Sequence, residues 1–290
     1  MRFAPAATAL ALILAACGDS SDSAHHGDGG DQHAAADAHN EDHGGGEHGS
    51  LIGPADAHAA TPAPQQHGGD ATHWSYANQR AWAGVSGMCG RGREQSPINL
   101  ASAAPMAEMP DLVPHYLQVA GGFADTGHTL QFTPAESRAT LSIGADTYTM
   151  AQMHFHSPAE HTLDRRAYPA ELHFVHRNAN GQLAVVGVFI EEGEENPALA
   201  ALLSHRPAQQ GDEHAEQLEV NLMALLPPDR AYFAYAGSLT TPPCSEGVRW
   251  NVLRTPITAS PDQIAMLREA LAATSRHVQP ANERTVLLGS

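Results

Sequence analysis

The chain has 290 residues and a formal net charge of −17, and all 15 of its basic residues are arginine. This length is sufficient for one sizeable hydrophobic core. The acidic balance excludes nucleic acid as a partner, because a phosphate-binding surface is built from clustered basic residues. The charge is unevenly distributed, since residues 18–72 contain ten acidic residues and no basic one.

The N-terminus carries one arginine followed by a run of about 14 mostly apolar residues, which is too short to span a bilayer. It predicts a signal peptide over residues 1–16. The junction Leu14-Ala15-Ala16-Cys17 resembles the cleavage box of bacterial lipoproteins, which implies a lipid on Cys17. The alternative is an ordinary secretory signal. The expected location is the periplasmic side of a bacterial cell envelope, with the lipid as the only membrane contact, or the soluble periplasm.

Residues 17–72 have the composition of a tether. They include no Phe, Trp or Tyr and are rich in Gly, Asp, Ala and His. Such a segment cannot bury enough apolar surface to offset the entropy of ordering, so we expect it to be disordered. Its histidines are His25, His26, His33, His39, His43, His48, His58 and His67. With the neighbouring carboxylates they could bind metal loosely or buffer protons, and the alternative is a solvated spacer.

Residues 73–290 have the composition of a globular domain that is mainly β with a few peripheral helices. Short runs rich in β-branched and aromatic residues predict strands, and turn residues separate them. The runs are 128–132, 139–143, 147–156, 170–176, 183–190, 231–235 and 248–253. Helical patterns are confined to 196–204, 214–226 and 261–273. The third opens with Ser260-Pro261, a cap followed by a first-turn proline.

Two of these strands carry alternating histidines, and alternate residues of a strand share a face. The residues that share a face are Gln152, His154 and His156 on the first strand and Glu171, His173 and Val175 on the second. A neighbouring strand can therefore add a third imidazole to the first pair. Three neutral imidazoles with an open fourth position are typical of a catalytic zinc site. A structural zinc site would have four protein ligands, usually including cysteine, and no cysteine lies near these histidines in the sequence.

Six motifs follow one another along the chain: Gln95-Ser96-Pro97-Ile98-Asn99, Gly127-His128-Thr129, His154-Phe155-His156, Glu160-His161-Thr162, Ala170-Glu171-Leu172-His173-Phe174-Val175-His176 and Ser238-Leu239-Thr240-Thr241-Pro242-Pro243. Their order resembles that of the α-class carbonic anhydrases, from about His73 to Arg284. The resemblance implies a mainly β (α+β) fold with a central, twisted, mostly antiparallel ten-stranded sheet. It also implies zinc-dependent, reversible hydration of carbon dioxide to bicarbonate and a proton.

The resemblance implies one zinc ion per domain, with His154, His156 and His173 as its ligands. Gln152 and Glu171 match acceptors that orient two of these imidazoles, since an acceptor on the far ring nitrogen selects the tautomer.

Three further residues match catalytic positions of the family. Glu160 and Thr240 resemble the pair that orients the nucleophile, zinc-bound hydroxide. The threonine hydroxyl donates to the carboxylate and must therefore accept from the hydroxide. His128 lies at the position of the family's proton shuttle, because an imidazole can relay protons at neutral pH.

Other positions match the family's substrate pocket and water network. The residues that match the apolar wall are Val175, Val185, Leu239 and Trp250, with Thr241 at its border. Tyr76 matches a residue of the ordered water network, whereas Thr126 and Gln131 stand where asparagine is often found.

The two remaining cysteines, Cys89 and Cys244, occupy places where bacterial members of the family commonly carry a disulfide, which agrees with an oxidising compartment. His176 has the opposite parity to His173 and is predicted to lie in the core, and His161 is predicted to be structural. The histidines predicted on the surface are His115, His205, His214 and His277.

Two other functions stay open. A non-catalytic binding domain of the same family would be expected to have lost a ligand histidine, yet all three are present. A metal-scavenging lipoprotein would use the histidine-rich leader, and this activity could coexist with catalysis. The sequence does not determine the oligomeric state, so a homodimer also stays open.

Overall fold

The computed structural model describes residues 74–136, 138–208 and 218–289. The signal peptide (1–16), Cys17, the tether (17–72) and His214 lie outside the described residues, so what the sequence predicts for them stays a prediction. Within the described ranges, no helix is both long enough and apolar enough to cross a membrane.

Fourteen strands run through the described part of the chain. They are β1 (Asn99–Leu100), β2 (Leu112–His115), β3 (Val119–Asp125), β4 (Leu130–Pro134), β5 (Thr140–Ile143), β6 (Asp146–His156), β7 (Thr162–Leu163), β8 (Ala170–Arg177), β9 (Leu183–Glu192), β10 (Leu218–Val220), β11 (Tyr232–Ser238), β12 (Glu246–Leu253), β13 (Ile257–Ala259) and β14 (Leu287–Gly289). The α-helices of the same ranges are α1 (Trp82–Val85), α2 (Gly87–Arg91), α3 (Pro197–Ser204) and α4 (Pro261–Leu271). Two 3₁₀ segments span Tyr76–Ala81 and Leu222–Leu225.

Twelve of the described strands form one mixed sheet, whose main path is β10-β3-β4-β6-β8-β9-β12-β11-β14. β5 joins β6, β2 joins β5, and β13 joins β9. Only the pairs of β9 with β12 and with β13 are parallel in this described sheet, which confirms the mostly antiparallel expectation. The sheet has more than the ten strands expected, because short segments such as β10 and β13 also pair at its margins.

The helices predicted at 196–204 and 261–273 are present as α3 and α4. The helix predicted at 214–226 is wrong where the structure describes it, because Leu218–Val220 is a strand and Leu222–Leu225 a single 3₁₀ turn. Here β10 pairs with β3 along its whole length. The backbone hydrogen bonds offered by this sheet edge override a local apolar spacing that also suits a helix.

Both faces of the sheet are covered at its centre, so β8 is buried along nearly its whole length. Leu172 and Phe174 pack into one hydrophobic cluster. Val175 packs into a second cluster together with Trp250. Alternate residues of one strand thus enter different cores, and only the second core adjoins the histidine cluster.

His176 lies on the first face, as its parity predicts, and it is fully buried. Its Nδ1 donates to the carbonyl oxygen of Ala184 at 3.3 Å, and its Nε2 accepts from the Tyr116 hydroxyl at 2.6 Å. Burial lowers the pKa of His176 to about 4, so the ring is neutral at pH 7.

A β-bulge at Ala151 changes the parity of β6. Tyr148 and Met150 face the first core, whereas after the bulge Met153 and Phe155 do so. The extra residue turns every later side chain to the other face of the sheet. The even-numbered residues from 152 to 156 therefore face away from the core that Met150 enters.

The structure contains the disulfide between Cys89 and Cys244, which are separated by 155 residues in sequence. Cys89 lies in α2, and Cys244 follows Pro243 in the loop after β11. The Ser86 hydroxyl also donates to the carbonyl oxygen of Pro243 at 2.9 Å. The N-terminal helical segment is thereby held against the loop that carries Thr240.

Candidate metal centre

Three histidines meet on neighbouring strands. His154 lies directly opposite His173 in the β6–β8 register, and His156 follows two residues later on β6. One ring nitrogen of each of the three lies within 4.8 Å of the others. His156 and His173 are buried and His154 is partly buried.

The far nitrogen of each ring is occupied by an acceptor oxygen. His154 Nδ1 lies 2.7 Å from Gln152 Oε1, and His156 Nδ1 lies 2.5 Å from the carbonyl oxygen of Thr274. His173 Nε2 lies 2.9 Å from a carboxylate oxygen of Glu171. Because these oxygens only accept, each far nitrogen carries the hydrogen. The nitrogens that face the centre of the cluster are Nε2 of His154, Nε2 of His156 and Nδ1 of His173. Each therefore carries no hydrogen and presents an available lone pair.

The inward atoms fit a metal ion. The Nε2 atoms of His154 and His156 are 3.0 Å apart, and without a hydrogen between them this contact is repulsive unless a cation lies between the lone pairs. Two nitrogens at about 2.0 Å from a tetrahedral zinc would be about 3.3 Å apart. Burial lowers the pKa of all three histidines, to about 4 for His156, so all three are available as neutral ligands.

Glu171 is buried behind His173, and its carboxylate accepts four hydrogen bonds. One carboxylate oxygen accepts from His173 Nε2 and, at 2.7 Å, from His161 Nδ1. The other accepts from the backbone N–H groups of Glu160 and His161, at 2.9 and 2.8 Å. Burial acts to raise the pKa of Glu171, but His161 and His173 hold it well below its ordinary value. His161 is thus structural in its contacts, because it helps to fix the acceptor that orients His173.

Space for this carboxylate comes from Gly187 on β9, which lies opposite His173 in the β8–β9 register. A Cβ built at Gly187 would approach the Oε1 atom of Glu171 to 3.0 Å. Glycine therefore permits a close approach of backbone to the buried carboxylate.

Glu160 lies beside the three histidines. Its Oε1 accepts from the backbone N–H of Arg276 at 2.8 Å, and its Oε2 is 3.5 Å from His156 Nε2. Burial raises the pKa of Glu160 to about 7 against the lowering effects of nearby groups, among them the Thr240 hydroxyl. The Oε2 atom of Glu160 is buried and has no hydrogen-bond partner within the described ranges.

His128 is partly exposed in the turn between β3 and β4. Its ring stacks on Trp74, with centroids 4.1 Å apart and planes 13° apart. Tyr76 packs edge-on against Trp74. Burial, and secondarily the charge of Glu160, raises the pKa of Tyr76 well above its ordinary value.

The residues matched to an apolar wall come together across three strands. Val185 on β9 lies opposite Val175 on β8 and opposite Trp250 on β12. The Trp250 ring contacts the His173 ring edge-on, with centroids 4.9 Å apart. Leu239 is partly buried against the same cluster. Thr241 is also only partly exposed.

A family model described as eukaryotic-type carbonic anhydrase matches residues 77–289. The chain belongs to the α-carbonic anhydrase family. Curated carbonic anhydrases from Pectobacterium carotovorum and Klebsiella pneumoniae are 36% and 38% identical to it over 225 residues, which are 75% of this chain and 91% of each relative. The α-carbonic anhydrase of Thermovibrio ammonificans, solved with sulfanilamide, is 37% identical with a TM-score of 0.72, covering 76% of this chain and 100% of that one.

Family membership makes this chain an enzyme of the lyase class, with carbon dioxide and bicarbonate as the substrates the family implies. The α-carbonic anhydrases are zinc enzymes, and the histidine cluster is chemically able to hold that metal.

Sequence reasoning missed two residues of the site, Thr274 and Arg276. Both belong to the irregular segment after α4, and both act through backbone atoms. A carbonyl or N–H group is present at every residue, so no side-chain pattern could have indicated these two. Trp74, whose ring stacks on His128, was also missed.

Proposed function

We propose that this chain catalyses the reversible hydration of carbon dioxide with one zinc ion held by His154 Nε2, His156 Nε2 and His173 Nδ1. The observation that carries the proposal is the convergence of three bare nitrogens whose far sides are all hydrogen-bonded. A zinc ion bound there supplies a hydroxide nucleophile near neutral pH, as is known for carbonic anhydrases.

Glu160 and Thr240 are proposed to orient that nucleophile. A threonine hydroxyl that donates to Glu160 has only lone pairs left for other neighbours, so it accepts from the nucleophile and selects its direction. Glu160 Oε2 lies 3.5 Å from His156 Nε2, so a dication held at that nitrogen favours the ionised carboxylate.

Val175, Val185 and Trp250 are proposed to form the substrate wall. Carbon dioxide is small and nonpolar, so a dry apolar surface beside His173 can hold it without competing for hydrogen bonds. Leu239 extends this wall and Thr241 borders it, while the Tyr76 hydroxyl belongs to the proposed water network on the polar side.

His128 is proposed to carry the released proton to solvent. An imidazole gains and loses protons near neutral pH, so it can accept a proton on the inner side and release it on the outer side. Its partial exposure and its stacking on Trp74 support a position at the rim of the site.

Export and lipid attachment at Cys17 are proposed from the sequence, with the periplasmic side of the envelope as the location. The disulfide between Cys89 and Cys244 supports an oxidising compartment. A metal-binding role of the leader is a second candidate, favoured by eight histidines among ten carboxylates over residues 18–72. It predicts zinc binding beyond one ion per chain, which is lost when the leader histidines become glutamine.

The proposed reaction is tested by stopped-flow carbon dioxide hydration on full-length protein of known metal content. We expect one tightly held zinc per chain, loss of hydration when a chelator removes it, and recovery when zinc returns. Hydration that persists at full rate in metal-free protein would contradict the proposal.

A further inference from the structure

The two backbone contacts that Thr274 and Arg276 make with the site belong to one short segment, residues 274–277, which we call the strap. Thr274 and Arg276 are buried, whereas Ser275 is partly exposed and His277 is exposed. This alternation is typical of an extended chain with one side against the protein. The strap follows α4 and passes beside the histidine cluster.

One edge of the strap faces the candidate metal centre. The carbonyl oxygen of Thr274 lies 2.5 Å from His156 Nδ1, and the backbone N–H of Arg276 donates to Glu160 Oε1 at 2.8 Å. The backbone N–H of Thr274 donates to the carbonyl oxygen of Ser157 at 3.2 Å on the same edge. The aim of one proposed ligand and the place of Glu160 therefore both depend on where the backbone of the strap lies.

The opposite edge of the strap is bonded to the carboxamide of Gln79, in the 3₁₀ segment Tyr76–Ala81. Gln79 Nε2 donates to the carbonyl oxygen of Ser275 at 2.8 Å, and Gln79 Oε1 accepts from the backbone N–H of His277 at 2.9 Å. In an extended chain, the backbone groups of successive residues point to opposite edges. The carboxamide thus occupies the place that a neighbouring strand would take, although Gln79 and Ser275 are 196 residues apart in sequence.

We infer that Gln79 is a positioning residue for the metal centre. Its carboxamide holds the outer edge of the strap, so that the inner edge presents the Thr274 carbonyl to His156 and the Arg276 N–H to Glu160. Gln79 acts through the strap and is not itself a catalytic residue. This inference rests on the proposed function, because it concerns the affinity of that centre for zinc and the rate of the proposed reaction.

A second attachment of the strap limits the size of the effect. The guanidinium of Arg276 donates to the carbonyl oxygen of Ser96 at 2.8 Å and to that of Cys89 at 3.2 Å, and it lies 5.6 Å from the centre of the Trp82 ring. Loss of the Gln79 carboxamide should therefore loosen the strap without releasing it. The effect on zinc affinity should stay below the roughly 10–100-fold that is typical when a direct partner of a ligand is lost.

The test removes both hydrogen bonds of Gln79 while nearly keeping its volume, in the full-length variant Gln79→Met. The matched control is Gln182→Met. Gln182 is an exposed glutamine in the turn between β8 and β9, and its Oε1 accepts from the side-chain amide of Asn178 at 2.9 Å. A second variant, Gln79→Ala, removes the same two hydrogen bonds with a shorter side chain.

Three quantities are measured for each protein. They are the zinc dissociation constant by competition with a chelator, kcat/KM for carbon dioxide hydration, and the hydrogen-exchange rates of backbone N–H groups in the zinc-loaded protein by NMR. The exchange rates report the strap directly and do not depend on activity.

We expect Gln79→Met and Gln79→Ala to raise the zinc dissociation constant by about 3- to 10-fold and to lower kcat/KM by a similar factor, the range for one or two hydrogen bonds. Exchange of the His277 N–H should accelerate because it loses its acceptor. Exchange of the Arg276 N–H should also accelerate, although Gln79 does not bind it, because the strap carries the change to its inner edge. Gln182→Met should keep wild-type values throughout.

The inference is overturned if either folded Gln79 variant keeps the wild-type zinc affinity and the wild-type exchange rate at Arg276. It is also overturned if exchange accelerates equally throughout β8, because that pattern indicates general destabilisation and not a displaced strap.

Failure of the proposed function would look different. Wild-type protein that binds no zinc, or that binds zinc and shows no hydration, would refute the proposed reaction. Active wild-type protein whose zinc affinity is indifferent to the Gln79 substitutions would refute only the role of Gln79.

Discussion

His154 and His173 lie directly opposite each other across β6 and β8, with ring centroids 5.2 Å apart and planes at 88°. The two rings present different nitrogens to the centre of the cluster. Gln152 binds Nδ1 of His154 and leaves Nε2 free to ligate, whereas Glu171 binds Nε2 of His173 and leaves Nδ1. Two strands that are rigidly paired thus aim two ligands at one point before any metal arrives.

Removal of His173 should abolish metal binding. In His173→Ala only two histidine ligands remain, so zinc affinity should fall by more than the roughly 10–100-fold that is typical for losing an orienting partner. Hydration should fall with it. The control is His176→Gln, on the same strand but facing the other core, which should retain zinc. Stoichiometric zinc and wild-type hydration in His173→Ala would refute the ligand assignment.

Removal of the Thr240 hydroxyl should slow the reaction without releasing the metal. In Thr240→Ala the nucleophile loses its orienting acceptor, so kcat/KM should fall by about one to three orders of magnitude, the range for losing a positioned hydrogen bond. Zinc content should stay at the wild-type level. Thr147→Ala, an exposed position on β6, serves as the matched control. An unchanged kcat/KM in Thr240→Ala would contradict the proposed role.

Removal of the His128 imidazole should affect only the proton-transfer step. In His128→Ala we expect kcat to fall in weak buffer while kcat/KM is unchanged, because hydration of the substrate precedes proton release. Added imidazole should restore kcat. The assignment fails if kcat of this variant does not depend on buffer concentration.

Reduction of the disulfide should lower the stability of the fold more than it lowers the catalytic activity. A disulfide between residues 155 apart in sequence lowers the entropy of the unfolded chain. The chain-entropy relation gives an upper limit of about 5 kcal/mol for the resulting stabilisation of the folded state. Reductant should therefore lower the urea midpoint while zinc stays bound and activity declines less. If titration of the nonreduced, unfolded protein finds Cys89 and Cys244 both reactive, the protein in solution lacks this bridge.

Acid should destabilise the fold through His176. Burial lowers its pKa to about 4, whereas an unfolded histidine titrates near pH 6.5. The unfolded chain therefore binds the extra proton between these values, and stability is lost as pH falls from about 6.5 towards 4. Between pH 7.5 and pH 5, titration of this single group lowers the free energy of unfolding by about 2 kcal/mol.

The measurement is the free energy of unfolding by urea across this pH range. His176→Gln keeps an acceptor for the Tyr116 hydroxyl but does not titrate, so its stability should fall less steeply below pH 6.5. Parallel pH profiles for the two proteins would show that His176 does not drive the acid loss.

Much of the site could be predicted locally. In any strand, residues two apart share a face, as His154 and His156 do, and residues three apart lie on opposite faces, as His173 and His176 do. The two hydrophobic clusters on the two faces of β8 confirm this assignment. The longer strands β6, β8, β9, β11 and β12 were predicted because their β-branched and aromatic runs are dense. The seven-residue β3 was missed, because its alanines and its two glycines have low β-propensity. The short strands β1, β7, β10, β13 and β14 carry too few residues to show a period.

What the sequence by itself determined is the chemistry: which side chains can ligate, which face of a strand each takes, and the family to which the motifs belong. Only the tertiary structure decided how they are aimed. The Ala151 bulge shifts the parity of β6, and the Thr274 carbonyl, 118 residues from His156, selects the tautomer of that ring. A bulge arises from the pairing of two strands, and a backbone acceptor has no signature in sequence. Both therefore depend on contacts between segments that are distant along the chain.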